Sequence, residues 1–476
     1  MPEATASVAR AAFPHGCLAV RLRDLLGALF RDEDFAGLFS CRGRPATSPA
    51  RLALVSVLQF AEGLSDRQAA HAVRSRIDWK YALGLELTDA GFDFSVLSEF
   101  RDRLIAGGAQ ARMLDVILEH AEENGLLKAG GRQRSDATHV LAAVRDLNRL
   151  EYVVEMMRAA LNALAAAAPK WLAERAPVEW FDRYSARPDD TKSKIPGRWA
   201  ARVEHGHQVG QDGMQLLRAV WSNDAPRWLR ELPAVELLRQ SWVQEYEVID
   251  GEVTWRAPRN RPPGAHRLCS PYDPDARVGV KRDCAWNGYK VHLTETCEPN
   301  APHLIVNVIT TPAPVDDSTQ VGVIHQQLAE RDLLPEIHLV DSGYATAANL
   351  VAARRDHEVE LCGPVRPNVG WQAARGNGYS IDAFTVDWER QHATCPNGAT
   401  SRQWYDDHRG KVPVIRVKFS PTDCRPCPTR SDCTRSILSI GREITLRRQP
   451  EHEAIQQARA DQQDPVWLRR YGHRAG

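Results

Sequence analysis

Apolar residues recur at intervals of three and four through the first hundred residues, which predicts helices. In "TSPARLALVSVLQFAEG", Leu52, Val55 and Leu58 share a helical face; Ser48 can cap the start, Pro49 fits the first turn and Gly63 marks the stop. "LSDRQAAHAVRSR" follows at once, with Ser65 and Gln68 as a capping box and Ala69, Ala70 and Val73 as the apolar face. A third helix begins near Ser95 and carries Leu97, Phe100 and Leu104. Further on, Val140, Val144, Leu147, Val154, Met157, Leu161 and Leu164 predict one long helix from Val140 to about Trp171, a structural element with a buried stripe. The period then changes. "GYKVHLTET" alternates Tyr289, Val291 and Leu293, "EPNAP" makes a turn and "HLIVNVITT" is β-rich, together a hairpin. "DDSTQVGVIHQQLAERDLL" reads as a helix and "EIHLVDSGY" as a short strand. The order β-β-α-β points to a mixed sheet with helices packed on it.

With 476 residues there is room for two or three domains and a large core. A hydrophobic fraction of 43% and a charged fraction of 26% describe an ordinary soluble chain. No apolar run reaches the roughly 18 residues that a membrane span needs, and "MPEATASVARAAFPHG" is not a secretory signal, so the expected location is cytoplasmic. Net charge is zero, but arginine outnumbers lysine, and residues 411–476 hold 13 Lys+Arg against 7 Asp+Glu. That local excess is either a footprint for an acidic partner or a solvated face. The first two helices, joined by a tight turn at Gly63, are arranged like a helix-turn-helix, with Arg67, His71, Arg74 and Arg76 on the second. Any small bundle gives the same pattern, so DNA contact and plain packing both stay open. Residues 172–286, tryptophan-rich and including the loop "RAPRNRPPGAHR", offer no nameable chemistry.

Two aspartates are placed where chemistry could sit. In "HLVDSGYATAANL", Ile337, Leu339 and Val340 make a buried strand, and Asp341 falls at its carboxyl end before a turn at Gly343. Carboxyl ends of strands are where open α/β sheets bind ligands, though a helix cap explains the residue equally well. In "RQRSDATHVLAAVRDLNRLE", Asp136 lies between a short strand-like segment and the long helix, and again a cap is the plain alternative. Asp146 reads as a surface residue, and Asp316 and Asp317 as caps of the helix that follows them. Six of the ten cysteines (Cys17, Cys41, Cys269, Cys284, Cys297 and Cys362) are scattered core residues. Cys395, Cys424, Cys427 and Cys433, in "TCPNG" and "TDCRPCPTRSDC", have the spacing of a structural zinc site, free thiols being the alternative.

Taken in order, "SDATHVLAAVRDLNRLE", "GYKVHLTET" and "HLVDSGY" resemble the catalytic core of bacterial insertion-sequence DDE transposases, and "RLALVSVLQFAEGLSDRQAAHAVRSRIDWKYALGL" is similar to their N-terminal domain. The resemblance covers nearly the whole chain. It implies an α+β (or α/β) fold: a helical N-terminal DNA-binding or dimerisation domain over 1–125, an RNase H-like mixed-sheet core over 126–390 with a helical insertion at about 140–286, a Cys-rich zinc-ribbon-like insertion over 391–450, and the start of a C-terminal helical segment over 451–476. It also implies a polynucleotidyl transferase that acts on element ends and target DNA in the bacterial cytoplasm, at the nucleoid, as a homodimer when on DNA. Asp136 and Asp341 become ligands of a pair of Mg²⁺ or Mn²⁺ ions, hard cations that prefer oxygen and that stabilise the attacking and leaving oxygens of a phosphodiester. Lys290 and Tyr344 become neighbours of the DNA, and one structural Zn²⁺ is expected on the four late cysteines. The family's third acid is a glutamate that follows a segment like "YGHRAG"; the expectation here is a chain that stops short of it, with a catalytically dead DNA-binding remnant or repressor as the alternative function.

Overall fold

A computed structural model describes residues 1–39, 47–143, 147–188, 190, 193–281, 284–376, 378–436 and 440–474. Val144 and Asp146 lie outside them. Two units emerge: Met1–Ala129 with Pro299–Val306, and Gly130–Glu298 with Asn307–Gly476. No helix among the described residues is long and apolar enough to cross a membrane.

The first unit is helical: α1 (Glu3–Ala12), α2 (Leu18–Leu26), a 3-10 turn (Asp32–Leu38), α3 (Pro49–Glu62), α4 (Asp66–Ser75), α5 (Ile77–Leu83), α6 (Ser95–Ala106) and α7 (Arg112–Glu123). Local signals set the predicted boundaries. The Ser48 hydroxyl accepts the Arg51 amide with Pro49 in the first turn, and the chain leaves α3 through Gly63 at φ +65°, where glycine carries no Cβ penalty. Ser65 and Gln68 form the capping box that starts α4. Leu52, Val55, Leu58, Ala69, Val73, Leu97 and Phe100 share one core with Phe35, Trp79 and Leu83. The seven-residue α5 escaped the sequence reading, since two turns are too few to show a period.

The second unit is built on a six-stranded sheet of order β4-β5-β1-β7-β8, with β6 also paired to β5. Its strands are β1 (Arg132–Leu141), β4 (Arg277–Lys281), β5 (Cys284–Thr296), β6 (Ile305–Pro312), β7 (Ile337–Leu339) and β8 (Glu360–Cys362). β1 runs antiparallel to β5 and parallel to β7, and β7 is parallel to β8, which is the RNase H-like order. α13 (Val321–Glu330) and α14 (Ala347–His357) make the connections that follow β6 and β7.

One expectation about this sheet needs correction. The helix does not begin at Val140: β1 pairs with β5 from Gln133↔Thr296 through Leu141↔Gly288, so Val140 and Leu141 are strand residues. α8 (Arg149–Ala167) starts at a capping box of Asn148 and Glu151, a signal present in "NRLE". In the hairpin, Trp286, Gly288, His292 and Thr294 of β5 point inward, whereas Tyr289, Val291 and Leu293 are half-buried. The interior beneath β5 is therefore largely polar, and its groups are linked: Thr294 Oγ1 lies 2.6 Å from Ser135 Oγ, which lies 2.7 Å from His338 Nε2, and His338 Nδ1 is 2.9 Å from His325 Nε2.

Between β1 and β4 the chain forms a helical body with a core of its own: α8, α9 (Pro169–Ala173), α10 (Val178–Tyr184), α11 (Trp199–Val220), α12 (Pro233–Glu245) and the hairpin β2 (Tyr246–Ile249)–β3 (Glu252–Trp255). Gly206, Gly210 and Gly213 leave a groove along α11, filled by Trp255, Tyr246 and Trp242 respectively. Those rings stack on one another at centroid distances of 4.7 and 5.2 Å, and the Tyr246 hydroxyl and the Trp242 indole donate to the carbonyls of Gly206 and Gly210. Beyond β8 come α15 (Trp371–Arg375), the short pair β9 (Thr385–Asp387)–β10 (His392–Thr394), and a three-stranded sheet of β11 (Ser401–Arg409), β12 (Val412–Phe419) and β13 (Glu443–Leu446). Two single turns, α16 (Pro421–Cys424) and α17 (Arg430–Cys433), lie between its last two strands, and α18 (Gln449–Asp461) and α19 (Pro465–Gly472) follow.

Candidate active site

The parallel pairing of β1 with β7 matches Arg132 with Ile337, Gln133 with His338 and Arg134 with Leu339. Two residues further on, in the same register, come Asp136 and Asp341. Neighbouring strands are about 4.8 Å apart, so the two aspartates stand level, one in the middle of a strand and one just past the end of its neighbour. Asp136 caps no helix: its Oδ1 accepts the Ala137 amide at 2.9 Å and its Oδ2 pairs with Arg474 Nη2 at 3.0 Å. Asp341 turns the chain out of β7, its Oδ1 accepting the Gly343 amide at 2.7 Å, while the cap of α14 is Thr346.

Arg474 arrives from beyond α19, which is fastened across the sheet. Trp467 and Tyr471 pack on Cys297, Leu339 and Cys362, and Arg134 Nη1 donates to the carbonyls of His473 and Arg474 at 3.1 and 3.2 Å. A concavity of about 420 Å³ over Asp136 is lined by Arg134, Ser135, Ala137, Thr138, Leu293, Glu295 and Arg474.

Beneath the aspartates, Tyr344 is fully buried, with its hydroxyl 2.6 Å from His292 Nδ1; His292 Nε2 is 3.2 Å from Thr311 Oγ1. Burial pushes the phenol's pKa up, and the carboxylates of Asp317, Asp341 and Asp136 push it further while Arg474 pulls it down. Burial likewise holds His292 below its ordinary value. A buried hydroxyl cannot reach a nucleic acid, which removes Tyr344 as a DNA contact. Lys290 is mostly buried too and is paired with Asp317. Of the two predicted caps, Asp316 is one, accepting the Ser318 amide at 2.9 Å; Asp317 faces the site instead. Sequence reading missed it because Asp316 and Asp317 look alike in "DDST".

The donors at this centre are carboxylate oxygens, the chemistry that suits a hard divalent cation. Each is at present partnered: Asp136 by Arg474, Asp317 by Lys290 and Asp341 by a backbone amide. Among the described residues no three His, Cys, Asp or Glu side chains are gathered as ligands of one metal ion.

Cys395, Cys424, Cys427 and Cys433 line a single cavity of about 300 Å³ together with Arg442. Cys427 Sγ accepts from Asn397 Nδ2 at 3.2 Å, and Cys424 Sγ from the Arg442 amide at 3.4 Å. A hydrogen bond with Thr429 draws the Cys427 thiol pKa down, whereas burial pushes that of Cys433 up. Four thiols around one cavity are a donor set that suits zinc.

The three arginines singled out on the N-terminal helices differ. Arg67 and Arg74 are exposed; Arg67 stacks 4.6 Å over Phe94, and Arg74 Nε donates to the Ala90 carbonyl. Arg76 is occupied within the fold by Glu62, Asp78 and the face of Trp79. Those carboxylates hold its pKa above the ordinary arginine value, and it is no free cation for a phosphate.

The strand order of the sheet is RNase H-like, and the other unit of the chain is helical. Residues 7–103 match the family model of a transposase domain (DUF772), and residues 394–476 match that of a transposase DDE domain. Both matches are to transposase families, which supports reading the chain as an insertion-sequence DDE transposase. Asp136 and Asp341 lie between the two matched segments. No curated protein and no solved structure matches the chain.

Proposed function

We propose that this transposase binds the ends of its element and catalyses metal-dependent cleavage of DNA strands and their transfer to target DNA, with Asp136 and Asp341 as metal ligands. The observation that carries the reading is the β1–β7 register, which brings the two aspartates level on a rigid sheet. Bound Mg²⁺ or Mn²⁺ would stabilise the attacking and leaving oxygens of the phosphodiester. The chain's own part is positioning: β1 and the Gly343 turn fix the carboxylates, and the His292–Tyr344–Thr311 contacts stiffen the floor below them. On the same reading, the exposed Arg67 and Arg74 contact element-end DNA, the late cysteines hold one structural Zn²⁺, and two copies act together on DNA.

The test is cleavage and strand transfer on end-sequence DNA with Mg²⁺ or Mn²⁺, comparing the wild-type chain with Asp136→Asn and Asp341→Asn. Each substitution should abolish both steps while leaving DNA binding in a gel shift intact. Cleavage that survives in either variant refutes the assignment; binding without cleavage by the wild-type chain refutes the catalytic reading.

A further inference from the structure

Lys80, in α5, is a lysine with only 3% of its surface exposed. Its ammonium donates to two main-chain carbonyls, that of Asp89 at 2.7 Å and that of Glu86 at 3.4 Å. A buried ammonium is costly unless it is hydrogen-bonded, so one spent on backbone oxygens is there to hold a loop. The loop is residues 86–94, which leads from α5 to α6 and packs against α4. Asp89 folds it further, its Oδ1 accepting the Gly91 amide at 2.8 Å. Gly91, at φ +68°, rests on the α4 backbone: a Cβ there would lie 3.6 Å from the Arg74 amide nitrogen and 3.6 Å from Val73 Cγ1. At the far end, Asp93 Oδ1 accepts the Ser95 amide at 3.0 Å and fixes the loop to the start of α6.

This loop holds two cations without using them up. Arg74 Nε donates to the Ala90 carbonyl at 3.0 Å, and among the described residues the terminal nitrogens of that guanidinium have no partner. Arg67 lies 4.6 Å over the ring of Phe94, itself 39% exposed, and a stacked guanidinium keeps its in-plane donors. The two arginines stand close to two full turns apart on α4, so they share one face with about 10 Å between them along the axis. Arg76 is the contrast, its guanidinium spent on Glu62 and Asp78.

We propose that residues 86–94 form a brace that aims Arg67 and Arg74 at the phosphates of DNA, and that Lys80 is the positioning residue that keeps the brace on α4. The inference rests on the reading of Arg67 and Arg74 as DNA contacts. A long, flexible cation loses rotamer freedom when it settles on a phosphate. Here much of that ordering precedes the DNA, through a ring under one guanidinium and a carbonyl beside the other. Lys80 is buried and touches no DNA; it acts through the segment that carries Ala90 and Phe94.

The test is binding of the full chain to a duplex of about 30 base pairs of arbitrary sequence, read by fluorescence anisotropy across a salt series, because phosphate contacts do not depend on sequence. Lys80→Met should weaken binding roughly tenfold, the cost of ordering two long side chains at the interface, and Phe94→Leu roughly threefold, since it frees Arg67 alone. In both variants the slope of affinity against salt should keep its wild-type value, because the same phosphates are neutralised. Arg67→Ala with Arg74→Ala should lower that slope, and adding Lys80→Met to this pair should weaken binding no further. A purely structural Lys80 predicts something else. Thermal unfolding would register its loss while the folded variant bound DNA as wild type does, or the loss of affinity would persist without the two arginines; either result overturns the proposal. If circular dichroism shows that Lys80→Met does not fold, Phe94→Leu decides alone, and wild-type affinity in that variant overturns the brace. If the arginine pair itself binds with wild-type affinity and slope, the reading of Arg67 and Arg74 fails; if it loses both while Lys80→Met and Phe94→Leu bind as wild type, only the brace fails.

Discussion

Acidification should loosen the central sheet through His325 and His338. The two rings are 1% and 0% exposed, hydrogen-bonded to each other, and His325 Nδ1 has no partner. Their surroundings are Ser135, Thr294 and a third histidine, His357, whose ring centroid is 5.4 Å from that of His325. Burial depresses both pKa values: His325 falls from 6.5 to about 4, with His357 adding repulsion, and His338 falls well below its ordinary value, with His325 adding repulsion. The sign follows from proton uptake. Below pH 6.5 the unfolded chain binds protons that the folded chain refuses, so the full stability is present above pH 6.5 and is lost as pH falls towards the folded value. At 1.36 kcal/mol per pH unit, His325 alone accounts for about 2 kcal/mol at pH 5 and about 3 kcal/mol at pH 4. Hydrogen exchange at the amides of β1 and β7, corrected for the intrinsic pH dependence of exchange, reads this locally in a chain of two units. Wild-type protection should fall by the equivalent of about 2 kcal/mol between pH 6.5 and 5. His325→Leu should start lower at pH 7.5, having orphaned His338 Nδ1, but should lose less over the same interval. Equal pH slopes in the two proteins would refute the reasoning.

Three other expectations are open to direct measurement. Gly213→Ala would put a Cβ 2.1 Å from Trp242 Cζ2, so overpacking of about 3 kcal/mol should outweigh the gain of about 1 kcal/mol in helix propensity; a rise in the thermal midpoint would contradict the tight groove. Cys424→Ser should strip the purified chain of about one zinc per molecule by elemental analysis, and zinc retained at the wild-type ratio would remove that residue from the site. Arg67→Ala with Arg74→Ala should lower the salt dependence of DNA binding by a slope of roughly 2, whereas Arg76→Ala should leave the slope alone and cost about 2 kcal/mol of stability through Asp78 and Glu62; a slope that follows Arg76 instead would reverse the division.

What the sequence disclosed was what neighbours along the chain decide. Ser48, Pro49 and Gly63 bound their helix, and Ser65 with Gln68 starts the next, because caps act within four residues. The hairpin, and the strand ending before Asp341, were readable for the same reason. Val140 was misassigned because its apolar spacing also suits a helix, and only pairing with distant β5 settles it as strand. The polar inward face of β5 was not legible, because His292 and Thr294 find hydrogen-bond partners that no periodicity reveals. Arg76 counted as a free cation until Glu62 and Asp78 were seen around it, and Asp317 counted as a cap until Lys290 and Gly343 were. Asp78 apart, which is two residues from Arg76, the deciding partners are more distant in sequence.

The placing of the helical body between β1 and β4 bears on how the protein assembles. The central pair of the sheet, β1 with β5, closes a loop of about 140 residues, and joining such distant segments is slow because loop entropy must be spent before the contacts form. A body that folds first on its own contacts shortens that loop to the distance between its ends. The groove in α11 makes such early folding all-or-none: a helix carrying Gly206, Gly210 and Gly213 is weak alone and gains its stability only when Trp242, Tyr246 and Trp255 lie in it. The segment without chemistry of its own would then govern when Asp136 meets Asp341, and damage to its aromatic ladder should surface first as slow or aggregation-prone refolding of the six-stranded sheet.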